Sequence, residues 1–177
     1  MCIRDSLDPT HPIQTAGAEM LQRLTGGTIA ATGVDGCGAP VFAVTLVELA
    51  RGFRRITTAS ADSPFPLHRA AAALTAGIRR HPWIIDGPGQ PNAVVIERLG
   101  VVAKTGAEGV LLLSAPDGTV AAIKVLDGSP RAATVVGLQL LVGAGALNAA
   151  RVDAVLPELG LAVLGGDRQV GRIRAVV

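Results

Sequence analysis

Val101-Val102-Ala103-Lys104-Thr105-Gly106-Ala107-Glu108-Gly109-Val110-Leu111-Leu112-Leu113-Ser114-Ala115-Pro116-Asp117-Gly118-Thr119-Val120-Ala121-Ala122-Ile123-Lys124-Val125 is the stretch whose pattern decides the fold. Three short apolar runs are separated by turn residues, which predicts strands over residues 101–104, 110–114 and 119–125. Ala115-Pro116-Asp117-Gly118 predicts the hairpin turn between the last two. Beyond them, residues 131–147 predict a long apolar helix, 152–159 a short helix and 170–175 a final strand. Toward the N-terminus the periodicity changes to that of helices. Thr10 is placed to cap a first helix with Pro12 in its first turn, Ile13, Ala16, Met20, Leu21 and Leu24 form its apolar face, and Gly26-Gly27 ends it. A strand at 28–32 and a turn at 34–40 follow. Helices at 45–56 and 67–80, a loop at 83–91 and a helical piece at 92–99 lead into the strands. The fold class expected is α+β, an antiparallel sheet with helices packed on it, in one domain over residues 7–177. Met1 to Ser6 fits nothing after it and reads as a foreign leader or a false start, so Cys2 is set aside.

Composition narrows the function classes. Hydrophobic residues make up 49% of the 177 residues and charged residues 17%, enough apolar content to bury a core. That core must be aliphatic, because the aromatics are only Phe42, Phe53, Phe65 and Trp83. A net charge of +2, with scattered arginines and no interleaved aromatics, excludes a nucleic-acid surface. Two cysteines make no disulfide framework and point to a reducing compartment. Residues 132–150 are apolar between two arginines, at the length of a short membrane span. Gln139 and Asn148 interrupt them and Gly143 and Gly145 end a helix early, so a buried core helix is expected and no membrane partner.

Two short motifs carry chemistry. Lys104-Thr105-Gly106 ends the first strand, and in β-lactamase-like enzymes a Lys-Thr-Gly strand borders the active site. Lys104 and Lys124 are the only lysines against fourteen arginines. Lysine is kept where a compact, titratable amine is needed. Taken alone, the tripeptide fits an ordinary solvated strand-end lysine better. Asp35-Gly36-Cys37-Gly38 is a small-residue turn with a carboxylate and a thiol. It suits a metal ligand or a substrate contact, or else a glycine turn around a buried cysteine. One cysteine cannot make a zinc site, which needs about four ligands. His11, His68 and His81 stand beside proline or on polar helix faces, without ligand spacing.

In chain order, the blocks are His11-Pro12-Ile13-Gln14, Gly33-Val34-Asp35-Gly36-Cys37-Gly38-Ala39-Pro40-Val41-Phe42-Ala43, His81-Pro82-Trp83, Ala103-Lys104-Thr105-Gly106-Ala107-Glu108-Gly109, Ile123-Lys124-Val125 with Asp127-Gly128 and Arg131-Ala132, and Val170-Gly171 with Ile173. Together they resemble the asparaginase II family, from Leu7 to the C-terminus. The resemblance implies a partial β-lactamase-like serine hydrolase fold. It implies hydrolysis of the asparagine side-chain amide to aspartate and ammonia, by a lysine-activated serine and an acyl-enzyme. It makes Lys104 the downstream catalytic lysine, Cys37 a zinc ligand and Asp35 a substrate-side or supporting carboxylate beside it. Zinc is then a possible cofactor of the intact enzyme, L-asparagine the small-molecule substrate, a homodimer the intact form and the cytoplasm the location. A lysine at its free pKa of about 10.4 is a poor base, and burial or a neighbouring cation has to lower it.

The chain departs from the family at the nucleophile. Ser6, Ser60, Ser63, Ser114 and Ser129 all lack a lysine at the Ser-x-x-Lys spacing. The expectation is a C-terminal portion that is inactive alone and whose missing N-terminal half carries the serine. Two alternatives stay open: a non-catalytic fragment or interaction module, and a serine amidase for another small amide such as glutamine. Thr25-Gly26-Gly27-Thr28 resembles the nucleophile motif of unrelated threonine-type asparaginases. It follows a helical segment rather than a strand and is read as coincidence.

Overall fold

The computed structural model describes residues 5–177; Cys2 and most of the Met1–Ser6 leader therefore lie outside the described residues. In chain order the elements are α1 (Pro12–Thr25), β1 (Ala31–Val34), β2 (Pro40–Ala43), α2 (Leu46–Thr57), α3 (Pro66–Arg80), α4 (Pro91–Leu99), β3 (Val102–Gly106), β4 (Val110–Ser114), β5 (Val120–Lys124), α5 (Ala133–Gly143), α6 (Ala149–Val155), β6 (Ala162–Gly165) and β7 (Arg168–Arg172). The fold is α+β. Its centre is the antiparallel sheet β3-β4-β5, in which Lys104 stands opposite Leu112, and Leu112 opposite Ala122. Two further two-stranded hairpins, β1-β2 and β6-β7, stand apart from that sheet.

Side chains alternate across the sheet, so the two faces are buried by different helices. Leu111, Leu113 and Ile123 face α5. A Cβ on Gly137 of α5 would lie 2.4 Å from a Leu113 methyl and 3.0 Å from one of Ile123. Only a glycine lets that helix sit so close. The opposite face meets α2, where the buried hydroxyls of Thr57 and Ser114 share a hydrogen bond of 2.8 Å. Val95, Val101, Leu111, Leu113, Leu138 and Val152 are fully buried, and the central cluster contains no aromatic residue. The expected aliphatic core is what forms.

Local chemistry explains the helix ends. Thr45 and Glu48 form a capping box at α2: each backbone N–H donates to the other residue's side chain. Both bonds to the Glu48 carboxylate hold its pKa below the ordinary value, the backbone bond from Thr45 first and its hydroxyl second. At α1 the C-terminal carbonyls of Arg23 and Leu24 accept from Arg55 of α2 at 2.8 and 2.7 Å. That supplies both a donor and a positive charge where a helix end needs them.

Several boundaries differ from the sequence reading. His11, not Thr10, caps α1: its Nδ1 accepts from the Ile13 N–H at 3.2 Å, while the Thr10 hydroxyl is engaged by Asp8. The strand expected at 28–32 moves to β1 and pairs with Pro40–Ala43, where the sequence reading has the last turn residue and no strand. The long helix expected over 131–147 shortens to α5. Pro130–Ala132 forms a 3-10 turn before it, and Gly145 adopts a left-handed φ of 75° after it. The single final strand expected at 170–175 is one arm of a hairpin, β7, and its other arm is β6. No described helix is long and apolar enough to cross a membrane.

Candidate active site

Among the described residues β3 is an edge strand, paired only with β4. Its free edge borders a cleft of about 580 Å³, within the usual range of roughly 300–1,000 Å³ for small-molecule sites. Lys104 and Thr105 come from β3, Pro91 and Asn92 from the start of α4, and Asp86 and Gln90 from the loop before it. Arg131 enters from the 3-10 turn before α5 and Thr134 from the first turn of α5, and residues 159–164 complete the lining. The lining combines two cations, one carboxylate, two amides and two hydroxyls with aliphatic walls.

Each polar group is placed by its backbone. The Asp86 carboxylate accepts the Asn92 N–H at 3.0 Å and the Ala93 N–H at 3.2 Å, so it caps α4 from the preceding loop. That cap sets Asn92 in the first turn of α4, where it is 1% exposed. Its Oδ1 accepts from the Thr105 hydroxyl at 3.0 Å, tying helix to strand. Lys104 is exposed and its Nζ donates to the Thr105 carbonyl. Arg131 is exposed too, with Nε donating to the Ser129 hydroxyl at 3.2 Å. Such a cleft can hold a small ligand that carries both a negative charge and an amide.

No serine lines it. Ser114 is fully buried against Thr57. Ser60 accepts from the Asp62 N–H in a turn. Ser63 and His68 share a hydrogen bond of 3.0 Å, and Ser63 also accepts from the Phe65 N–H at 3.3 Å. That pair shapes the entry to α3, away from the cleft. Thr25, of the threonine-like motif, is 1% exposed and donates its hydroxyl to Leu21 of its own helix at 2.9 Å. A nucleophile has to reach substrate, and this hydroxyl is spent inside α1.

Asp35 and Cys37 lie elsewhere, at the exposed tip of the β1–β2 hairpin, and neither lines the Lys104 cleft. The Asp35 carboxylate accepts the Gly36 N–H at 2.8 Å, and the Cys37 thiol donates to it across 3.7 Å. Cys37 is exposed, so the reading of a buried cysteine in a glycine turn does not hold. Zinc takes about four ligands. This turn offers two, and no three metal-ligating side chains stand together among the described residues. By themselves these residues do not fit a zinc centre. We expect the isolated chain to bind zinc weakly and Cys37→Ser to lose that binding, as read by competition with a chelating dye. Undiminished stoichiometric binding in Cys37→Ser would remove the thiol from any metal role.

Sequence reasoning singled out Lys104 but not Asn92, Asp86 or Thr134. The signal for Asn92 was its place just after Gln90-Pro91, a helix start facing a Lys-Thr-Gly strand. Comparison with known proteins adds the family. The family model described as L-asparaginase II matches residues 2–175. No curated protein matches the chain.

Proposed function

Because this chain belongs to the L-asparaginase II family, we propose that its Lys104 cleft is one wall of a serine-type amidase site for L-asparagine. The observation that carries the reading is the cleft itself. It joins the one motif lysine to an arginine, two amides and hydroxyl groups, and contains no serine among the described residues. In this reading another segment brings a Ser-x-x-Lys serine to the open side. Its Oγ attacks the side-chain amide carbon, the amide nitrogen takes up the serine proton and leaves as ammonia, and water cleaves the ester to release aspartate and restore the hydroxyl. Lys104 stabilises charge that develops on the carbonyl oxygen or moves the serine proton. A β-lactamase-like architecture, a homodimer, a cytoplasmic location and zinc held through Cys37 with ligands from outside this turn belong to the same proposal.

The serine-free cleft favours a second reading, a non-catalytic module that binds the ligand without turnover. Ammonia release from asparagine and from glutamine separates the readings. The 177-residue chain should release none above buffer from either amide. The same chain supplied with a Ser-x-x-Lys segment from the family should release it from asparagine. Saturable release by the chain alone would contradict the missing nucleophile, and no release from the completed protein would leave the binding module standing.

A further inference from the structure

Two of the groups in the cleft, Arg131 and Asn92, have hydrogen-bonding capacity that no described residue uses. Arg131 spends only Nε, on Ser129. Its terminal nitrogens meet no acceptor among the described residues, and the one carboxylate that lines the cleft, Asp86, accepts from two backbone N–H groups. A guanidinium with both terminal nitrogens open is a fork matched to a carboxylate. Asn92 is the second group. Its Oδ1 is taken by Thr105, and its Nδ2 has no acceptor among the described residues. No fully buried side-chain polar atom is left without a partner, so this nitrogen opens on the cleft although the residue is 1% exposed. A nearly buried amide with a free donor end is a costly arrangement unless something accepts from it.

Resting on the amidase reading above, we infer that Arg131 determines specificity in this cleft. Its fork takes the α-carboxylate of a small amino-acid amide, while Asn92 Nδ2 donates to another oxygen of the same ligand. Lys104 is then left for the reacting end. The ligand class is a short molecule with a free carboxylate and a second oxygen acceptor.

The test is calorimetric binding to the 177-residue chain with three probes: L-asparagine, L-asparaginamide, in which the carboxylate is an amide, and succinate. Wild type should prefer asparagine over asparaginamide by on the order of tenfold to a hundredfold, the worth of charged hydrogen bonds. Arg131→Gln should erase the preference, and Arg131→Lys should restore only part of it, because a point charge lacks the fork. Arg131 is exposed, so these variants should melt like wild type. Asn92→Asp keeps the shape but turns the donor into a repelling oxygen, and should weaken succinate binding. If Asn92→Asp fails to fold, the Arg131 variants decide alone. Succinate binding that depends on Arg131, without asparagine binding, supports the carboxylate assignment and overturns the asparagine reading. A preference that survives Arg131→Gln, or no binding of any probe, overturns the assignment.

Discussion

Lys104→Met is expected to lower asparagine turnover by about 10²–10⁴-fold in a protein completed by a Ser-x-x-Lys segment, the usual worth of acid–base help. Lys104 sits on the free edge of β3 and lines the cleft, where its amine meets only the Thr105 carbonyl among the described residues. Methionine keeps most of the stem and removes the charge and the donors. The residue is exposed, so melting should be nearly unchanged. Lys104→Arg should fail nearly as badly, since a planar guanidinium places its charge differently and does not exchange a proton. Lys124→Met is the comparison. The Lys124 amine donates to the carbonyls of Glu108 and Val125, which ties the β3–β4 turn to the end of β5. Losing it should lower stability while leaving most of the turnover. A Lys104→Met protein that folds and keeps near-normal turnover would reduce Lys104 to a surface residue.

Leu138→Ala is expected to cost about 2–5 kcal/mol of folding stability, the range for emptying a close-packed site. Leu138 is 0% exposed in the middle of α5, one residue from the glycine that lets this helix sit against Leu113. Leu140, two positions on, is 43% exposed, and Leu140→Ala should stay within about 0.5 kcal/mol. Urea unfolding of the two variants measures the contrast. Similar losses at both positions would mean that α5 is buried all round, as by a partner or a bilayer.

The strands and the helix cores were legible because their signals are local. The run at 110–114 is β4 to the residue, and the helix expected over 45–56 is α2, capped by Thr45. What failed was set by distant partners or by turns. The extent of β1 depends on pairing with residues 40–43, and β6 exists only because β7 folds back on it. Apolar content alone overextended α5, and one 3-10 turn and two glycines corrected it. The site divides the same way. Lys104 carries a motif and could be found in the sequence. Asn92 carries none, and Arg131 stands in the family-like block that ends at Ala132, with no role assigned to it there. Asn92 gains meaning from the Asp86 cap and the Thr105 bond, and Arg131 from an open guanidinium beside them. Asp35 and Cys37 were joined to Lys104 by family resemblance, whereas the fold sets them on a separate hairpin tip.

The most direct test of the Lys104 cleft as the asparagine site is a two-dimensional NMR titration of the ¹⁵N-labelled chain with L-asparagine. Binding at one wall of a site is weak, and NMR reads weak binding residue by residue. Saturable shifts at Asn92, Lys104, Thr105, Arg131 and Thr134 are expected, with the Asp35–Cys37 turn unmoved. No saturable shift up to the solubility limit of asparagine, or shifts confined to other surfaces, would contradict the account.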